Sequence, residues 1–141
     1  MSRVFWDTNL FIYLIEGVDE RAGQVASLAE RMKERGDQLY TSTITLGEVL
    51  VKPLEQGRQD LVERYEATLG PPAVVLIPFD RACARIYARL RTDRTIGAAD
   101  TAQLACAAQA NCDLFVTNDE RLSRKLIPGV QFIVPLGRAF L

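Results

Sequence analysis

Five short apolar runs set between helical patterns constrain this chain more than any other feature. The runs are Arg3 to Trp6, Gln38 to Thr41, Val74 to Ile77, Leu114 to Val116 and Val130 to Val134. Short apolar runs bounded by turn or helix signals suit buried strands. Between them, apolar residues recur at helical spacing. Thr8 to Glu16 sets Leu10, Phe11, Leu14 and Ile15 on one face. Glu20 to Arg35 does the same with Val25, Leu28, Ala29 and Met32 before Gly36 stops it. Further helices are expected over Ile44 to Glu55, where Pro53 can kink or end the run, and over Arg58 to Leu69, Arg81 to Thr92 and Ala98 to Ala110. A short one is expected over Glu120 to Leu126. Strands alternating with helices imply βαβ units, and hence a mostly parallel sheet covered on both faces: a three-layer α/β/α fold. With 141 residues and no linker or repeat, residues 1–141 form one domain. In such folds the site lies outside the carboxyl ends of the strands.

Composition then removes chemistries. The chain has no histidine, so Ser-His-Asp and Cys-His catalysis in their usual form are excluded, as are His-rich metal sites. Carboxylates, hydroxyls, lysines and hard metal ions remain. Cys83, Cys106 and Cys112 are odd in number and fit no zinc spacing, so they are expected to be buried, unpaired thiols in a cytoplasmic protein. No apolar run reaches the ~18–20 residues of a membrane span, and Met-Ser-Arg followed by a strand is not expected to be a signal peptide. The net charge of −1 gives no global attraction to nucleic acid, so any RNA contact must rest on a local basic surface.

Four acids stand out. Asp7 follows Val4-Phe5-Trp6, and Asp119 follows Leu114-Phe115-Val116 through Thr117 and Asn118. Each is explained singly as a helix cap. Capping does not explain why two strand ends both carry an acid flanked by Thr and Asn. If the two strands are neighbours, ~4.8 Å apart, their carboxylates converge. Asp100 lies among small residues in Gly97-Ala98-Ala99-Asp100-Thr101 with no basic residue three or four positions away. Its alternatives are a charge–dipole contact in a first helical turn and a tertiary or metal partner. Glu48 can pair with Lys52 at i, i+4, while Gly47 beside it, costly in a helix, suggests a close approach. Together, four clustered carboxylates would repel one another without a hard divalent cation that takes oxygen ligands, such as Mg²⁺. Such an ion activates water and stabilises charge on phosphate without histidine.

These segments resemble the PIN-domain family of metal-dependent nucleases, in particular the VapC-type toxins of toxin–antitoxin pairs. The matching stretches are Asp7-Thr8-Asn9 with Leu10 to Leu14, Thr43-Ile44-Thr45-Leu46-Gly47-Glu48-Val49-Leu50, Gly97 to Ala105 around Asp100, and Val116-Thr117-Asn118-Asp119. The resemblance implies a five-stranded parallel sheet, a catalytic quartet of Asp7, Glu48, Asp100 and Asp119 that binds Mg²⁺ or Mn²⁺, and supporting roles for Asn9 and Thr117. It implies endonucleolytic cleavage of RNA that leaves 5′-phosphate and 3′-hydroxyl ends. It also implies a homodimer and a VapB-like antitoxin as partner.

Basic residues flank the later acids: Arg81, Arg85 and Arg89 on one helix, Arg91 and Arg94 before Asp100, and Arg121, Arg124 and Lys125 after Asp119. They are either a solvated face or phosphate contacts, with Arg94 and Arg121 the nearest candidates for RNA. Phe11, Tyr13, Leu14 and Ile15 are expected in the core, as are Trp6 and Tyr40. Three rival readings stay open. A haloacid-dehalogenase-type phosphatase would use Asp7, but needs a second Asp where Asn9 stands. A receiver domain would need an acidic pair and a distal lysine. A non-catalytic PIN-like module would bind RNA or protein only.

Overall fold

The computed structural model describes residues 1–17 and 19–139. The strands are β1 (Arg3–Trp6), β2 (Gln38–Ser42), β3 (Val74–Ile77), β4 (Leu114–Thr117) and β5 (Phe132–Pro135). The helices are α1 (Thr8–Glu16), α2 (Asp19–Arg35), α3 (Thr43–Glu55), α4 (Gln59–Thr68), α5 (Arg81–Leu90) and α6 (Ala98–Gln109). All four strand pairings are parallel, and the order across the sheet is β3-β2-β1-β4-β5. The expected five-stranded α/β fold is therefore the observed one.

Side chains alternate across a strand, and in β1 that alternation builds both cores. Val4 and Trp6 enter a core shared with Leu10, Phe11, Val25, Leu28, Leu61 and Tyr65, under α1, α2 and α4. Phe5 enters the other, with Cys83, Leu104, Cys106 and Phe115, under α5 and α6. Phe5 and Phe115 stack across the β1–β4 pair with centroids 5.0 Å apart. The three thiols are free and buried, as expected. Trp6, Phe11, Tyr13 and Ile15 are also buried. Among the described residues no helix is long and apolar enough to cross a membrane.

Three local expectations are revised. Pro53 does not end α3, which runs on to Glu55 although the proline has no N–H to give the Val49 carbonyl, and the Pro53 carbonyl accepts from the Arg58 amide at 2.8 Å. The helix expected over Glu120 to Leu126 shrinks to a 3₁₀ turn at Leu122–Arg124. There the Asp119 carboxylate accepts from the Arg121 amide at 2.9 Å, a side-chain turn that competes with helix. The last strand begins at Phe132 rather than Val130, after Gly129. That glycine has φ +93°, and a Cβ on it would meet Ala108 of α6 at 3.0 Å, so only glycine fits.

From β1 the chain proceeds to β2 and β3 on one side, then returns to place β4 and β5 on the other. The direction of strand order thus reverses between β1 and β4. The carboxyl ends at such a reversal open a crevice, the usual ligand position in α/β sheets.

Candidate active site

Asp7 stands at that reversal. Val4, Phe5 and Trp6 pair with Leu114, Phe115 and Val116, and the Asp7 amide continues the ladder to the Val116 carbonyl at 3.0 Å. Asp7 caps α1, as its position suggested: the Thr8 amide donates to Oδ1 at 2.9 Å. Its other oxygen is held from β4, where the buried Thr117 hydroxyl donates to Oδ2 at 2.9 Å. Capping and site-building therefore coexist. Burial pushes the Asp7 carboxyl up to about 6; the Thr8 and Thr117 hydrogen bonds oppose that rise, and the charges of Asp100 and Glu48 add to it.

Asp100 lies in the first turn of α6, after Gly97 at the cap. Burial raises its carboxyl too, with the charges of Asp119 and Glu48 reinforcing and Arg121 relieving the effect. Asp119 follows β4. Burial pushes it upward, but the Arg121 side chain and amide outweigh that and leave it below the ordinary carboxylate range. The Arg121 Nε–Asp119 Oδ1 distance is 3.5 Å, with the arginine 90% and the aspartate 33% exposed. Thr117 ties the two strand ends together, since its Oγ1 also accepts from the Asp119 amide at 3.1 Å.

A cavity of about 370 Å³ is lined by Asp7, Asn9, Asp100, Thr117, Asn118, Asp119, Glu120 and Arg121. Glu48 does not line it. It approaches from α3, where its Oε1 accepts from the Thr8 hydroxyl at 2.8 Å. Among the described residues it makes no ion pair with Lys52. The Cβ position of Gly47 faces open space, so no close approach within this chain explains that glycine. A second cavity of about 430 Å³ shares Asp100, Asp119 and Arg121 with the first and extends along Thr95, Ile96, Gly97, Leu122, Arg124 and Lys125. Arg121 thus borders both cavities. Arg94 is exposed and lines neither, as is also true of Arg81, Arg85 and Arg89 on α5.

The donor set suits a hard cation. It offers carboxylate, hydroxyl and amide oxygens with no imidazole or thiolate, the ligand chemistry of Mg²⁺ or Mn²⁺ rather than of softer metals. Asp7 and Asp100 are held above their ordinary range by burial and by neighbouring carboxylates, Asp100 and Glu48 acting on Asp7, and Asp119 and Glu48 on Asp100, a repulsion that a divalent ion would relieve. Among the described residues no three such side chains enclose an ion by themselves. The carboxylates fit an ion that keeps water or substrate oxygens in its shell, the ordinary habit of Mg²⁺.

Sequence reasoning missed the residues beneath the acids. Gln103 is 2% exposed; its amide nitrogen lies 2.6 Å from Thr45 Oγ1, 3.0 Å from Thr8 Oγ1 and 3.5 Å from Glu48 Oε1, and its carbonyl accepts from Ser42. Gln103 sits at i+3 from Asp100, on the same helix face, yet nothing in the Ala-rich stretch around it marks its partners in β2, α3 and α1.

The model of the PIN domain matches residues 4–126, and the chain belongs to the PIN-domain family. That membership leaves no place for the phosphatase and receiver-domain readings of the Asp7 motif. No sequence among the curated proteins matches the chain. Solved structures share the fold. A chain of VapBC2 from Rickettsia felis, bound to a DNA fragment from its promoter, superposes with a TM-score of 0.70 at 21% identity, over 94% of this chain and 98% of that one. FitAB bound to the IR36 DNA fragment gives 0.71 at 21% identity, covering 98% of each chain. DNA-bound VapBC from Salmonella typhimurium gives 0.66 at 21% identity, over 96% of this chain and 99% of that one.

Proposed function

We propose that this chain is a Mg²⁺- or Mn²⁺-dependent endoribonuclease and the toxin of a VapBC-type toxin–antitoxin pair. The observation that carries the reading is the concentration of carboxylates at the reversal between β1 and β4, with Arg121 the nearest offsetting charge. Asp7, Asp100 and Asp119, which line the cavity, would hold the ion, and Glu48 of α3 would complete the quartet. When bound, the ion activates water and stabilises the charge that develops on phosphate. Arg121, with Arg124 and Lys125 along the adjoining cavity, positions the RNA backbone so that its phosphate lies over the acids. Glu48 or Asp100 accepts the proton released as water adds to phosphorus. The P–O3′ bond breaks and the departing O3′ takes a proton from solvent, giving 5′-phosphate and 3′-hydroxyl ends. Asn9, exposed at the cavity edge, and Thr117, which holds Asp7, orient a carboxylate or water.

The partner would be a VapB-like antitoxin that covers the acids, and the working form a cytoplasmic homodimer. The similarity to chains taken from VapBC and FitAB complexes supports the antitoxin partner. Labelled RNA incubated with wild type and Asp7→Asn, each with Mg²⁺, Mn²⁺ or EDTA, tests the activity. Wild type is expected to cleave only with metal, and Asp7→Asn to be slower by more than about 100-fold, since a ligand should matter more than its supporting groups. Cleavage by the folded variant in EDTA overturns the proposal.

A further inference from the structure

We infer that Gln103 is the positioning residue of the acidic site: a buried neutral amide that fixes the Glu48 carboxylate toward Asp7 and Asp100. The inference rests on the metal-dependent reading above and deepens it. One side chain joins four elements. From α6 it meets Ser42 at the end of β2, Thr45 of α3 and Thr8 of α1. Those elements deliver Glu48, Asp100 and, through the α1 cap, Asp7. Gln103 thereby keys the spacing of three acids that come from distant parts of the chain.

The direction of the amide follows from its neighbours. The Ser42 Oγ accepts from the Thr45 amide at 3.3 Å, which leaves its own proton for the Gln103 carbonyl. The nitrogen then faces Thr45, Thr8 and Glu48, and its two N–H groups are shared among three oxygens. Thr41 closes the network from below, with its Oγ1 2.9 Å from the Trp6 carbonyl and 2.8 Å from Thr45 Oγ1. Thr8 accepts from Gln103 and donates to Glu48, so the chain of hydrogen bonds runs in one sense and its members polarise one another.

Neutrality is the point of the arrangement. Glu48 is exposed, and its long side chain loses rotamer freedom when held. A lysine or arginine at position 103 would hold it equally well but cancel the charge that a metal needs. An amide orders the carboxylate without neutralising it. Both hydrogen bonds fall on Oε1, and among the described residues no protein donor engages Oε2.

The experiment measures Mn²⁺ affinity by titration calorimetry and by electron paramagnetic resonance, without RNA, on wild type, Gln103→Leu, Glu48→Gln and the double variant. Groups that orient metal ligands typically contribute about 10- to 100-fold in metal affinity. Gln103→Leu is expected to weaken Mn²⁺ by that factor, and to add less than about twofold once Glu48 is already Gln, because both act through one carboxylate. Thr8→Val, nearer the surface, breaks the same relay and serves if Gln103→Leu fails to fold. Unchanged affinity in the folded variants overturns the inference, as does a loss that persists in full beside Glu48→Gln. Wild type that binds no Mn²⁺ overturns the metal-dependent reading itself.

Discussion

On the β1 flank of the cavity, Asp7 gives both oxygens to neutral donors, Thr8 and Thr117, and Glu48 likewise leans on Thr8 and Gln103. On the β4 flank, Asp119 sits beside the Arg121 guanidinium, and Lys125 reaches Thr95 and Asp93 along the adjoining groove. The first flank concentrates negative charge that no basic side chain among the described residues offsets, from a half-buried Asp7 to an exposed Glu48. The second mixes both signs at an exposed surface, where ion pairs are weak and exchangeable. The difference separates two tasks. Under the proposed function, a cation would be attracted where the protein supplies none of its own, and a polyanion would be gripped where mobile cations are available.

Such a division has a cost that can be measured. Holding Asp7 ionised in its buried place opposes folding. Its carboxyl is raised from the ordinary 3.8 to about 6 in the folded chain. Between those values the folded state binds more protons than the unfolded one. The stabilisation from protonated Asp7 is therefore fully present below 3.8 and is lost as pH rises through 6. Metal-free wild type should gain about 1.4 kcal/mol in urea unfolding between pH 7 and pH 5 from this group. Asp7→Asn keeps a good cap residue and has no charge to desolvate. At pH 7 it should be more stable than wild type by about 2–3 kcal/mol, even as it loses more than about 100-fold in cleavage. A destabilised Asp7→Asn would break the comparison, because the β1 flank would then be held together by its acid rather than strained by it.

Next in size is Thr117→Val, which preserves volume but removes the hydroxyl that holds Asp7 Oδ2 and accepts from the Asp119 amide. Cleavage should fall by about 10- to 100-fold while RNA affinity measured in EDTA stays within about twofold of wild type, as expected of a group that positions a ligand without touching phosphate. Equal losses in cleavage and RNA affinity would show that the two flanks are not separable.

The same contrast decides what was legible in the sequence. The strands were readable because parallel strands buried on both faces run nearly continuously apolar, as Val4-Phe5-Trp6 and Leu114-Phe115-Val116 do. Asp7 and Asp119 were readable because a strand end is a fixed place in such a fold. Their convergence was conditional on β1 and β4 being neighbours, a matter of topology that pattern alone does not decide. Gln103 was not readable as a site residue. Its partners Thr8, Ser42 and Thr45 lie 95, 61 and 58 positions away, and a lone Gln in an Ala-rich helix carries no mark of what it meets. Gly47 misled for the opposite reason: a local rule about helix cost suggested contact where the chain leaves space.

The smallest effects lie on the β4 flank, and there the salt dependence of RNA binding separates contact from mere proximity. Each cation that neutralises a phosphate releases counterions, so removing it lowers the slope of log K against log salt by about 0.7 for a single strand. Arg121 borders both cavities, whereas Arg94 borders neither. Arg121→Ala is therefore expected to flatten the slope by about that amount, measured in EDTA by fluorescence anisotropy from about 50 to 200 mM salt. Arg94→Ala should leave it unchanged, although the two residues carry the same charge. Equal changes in both would mean that the flank attracts RNA by its general field alone. Arg121 would then belong to Asp119 as its exposed partner and not to the substrate.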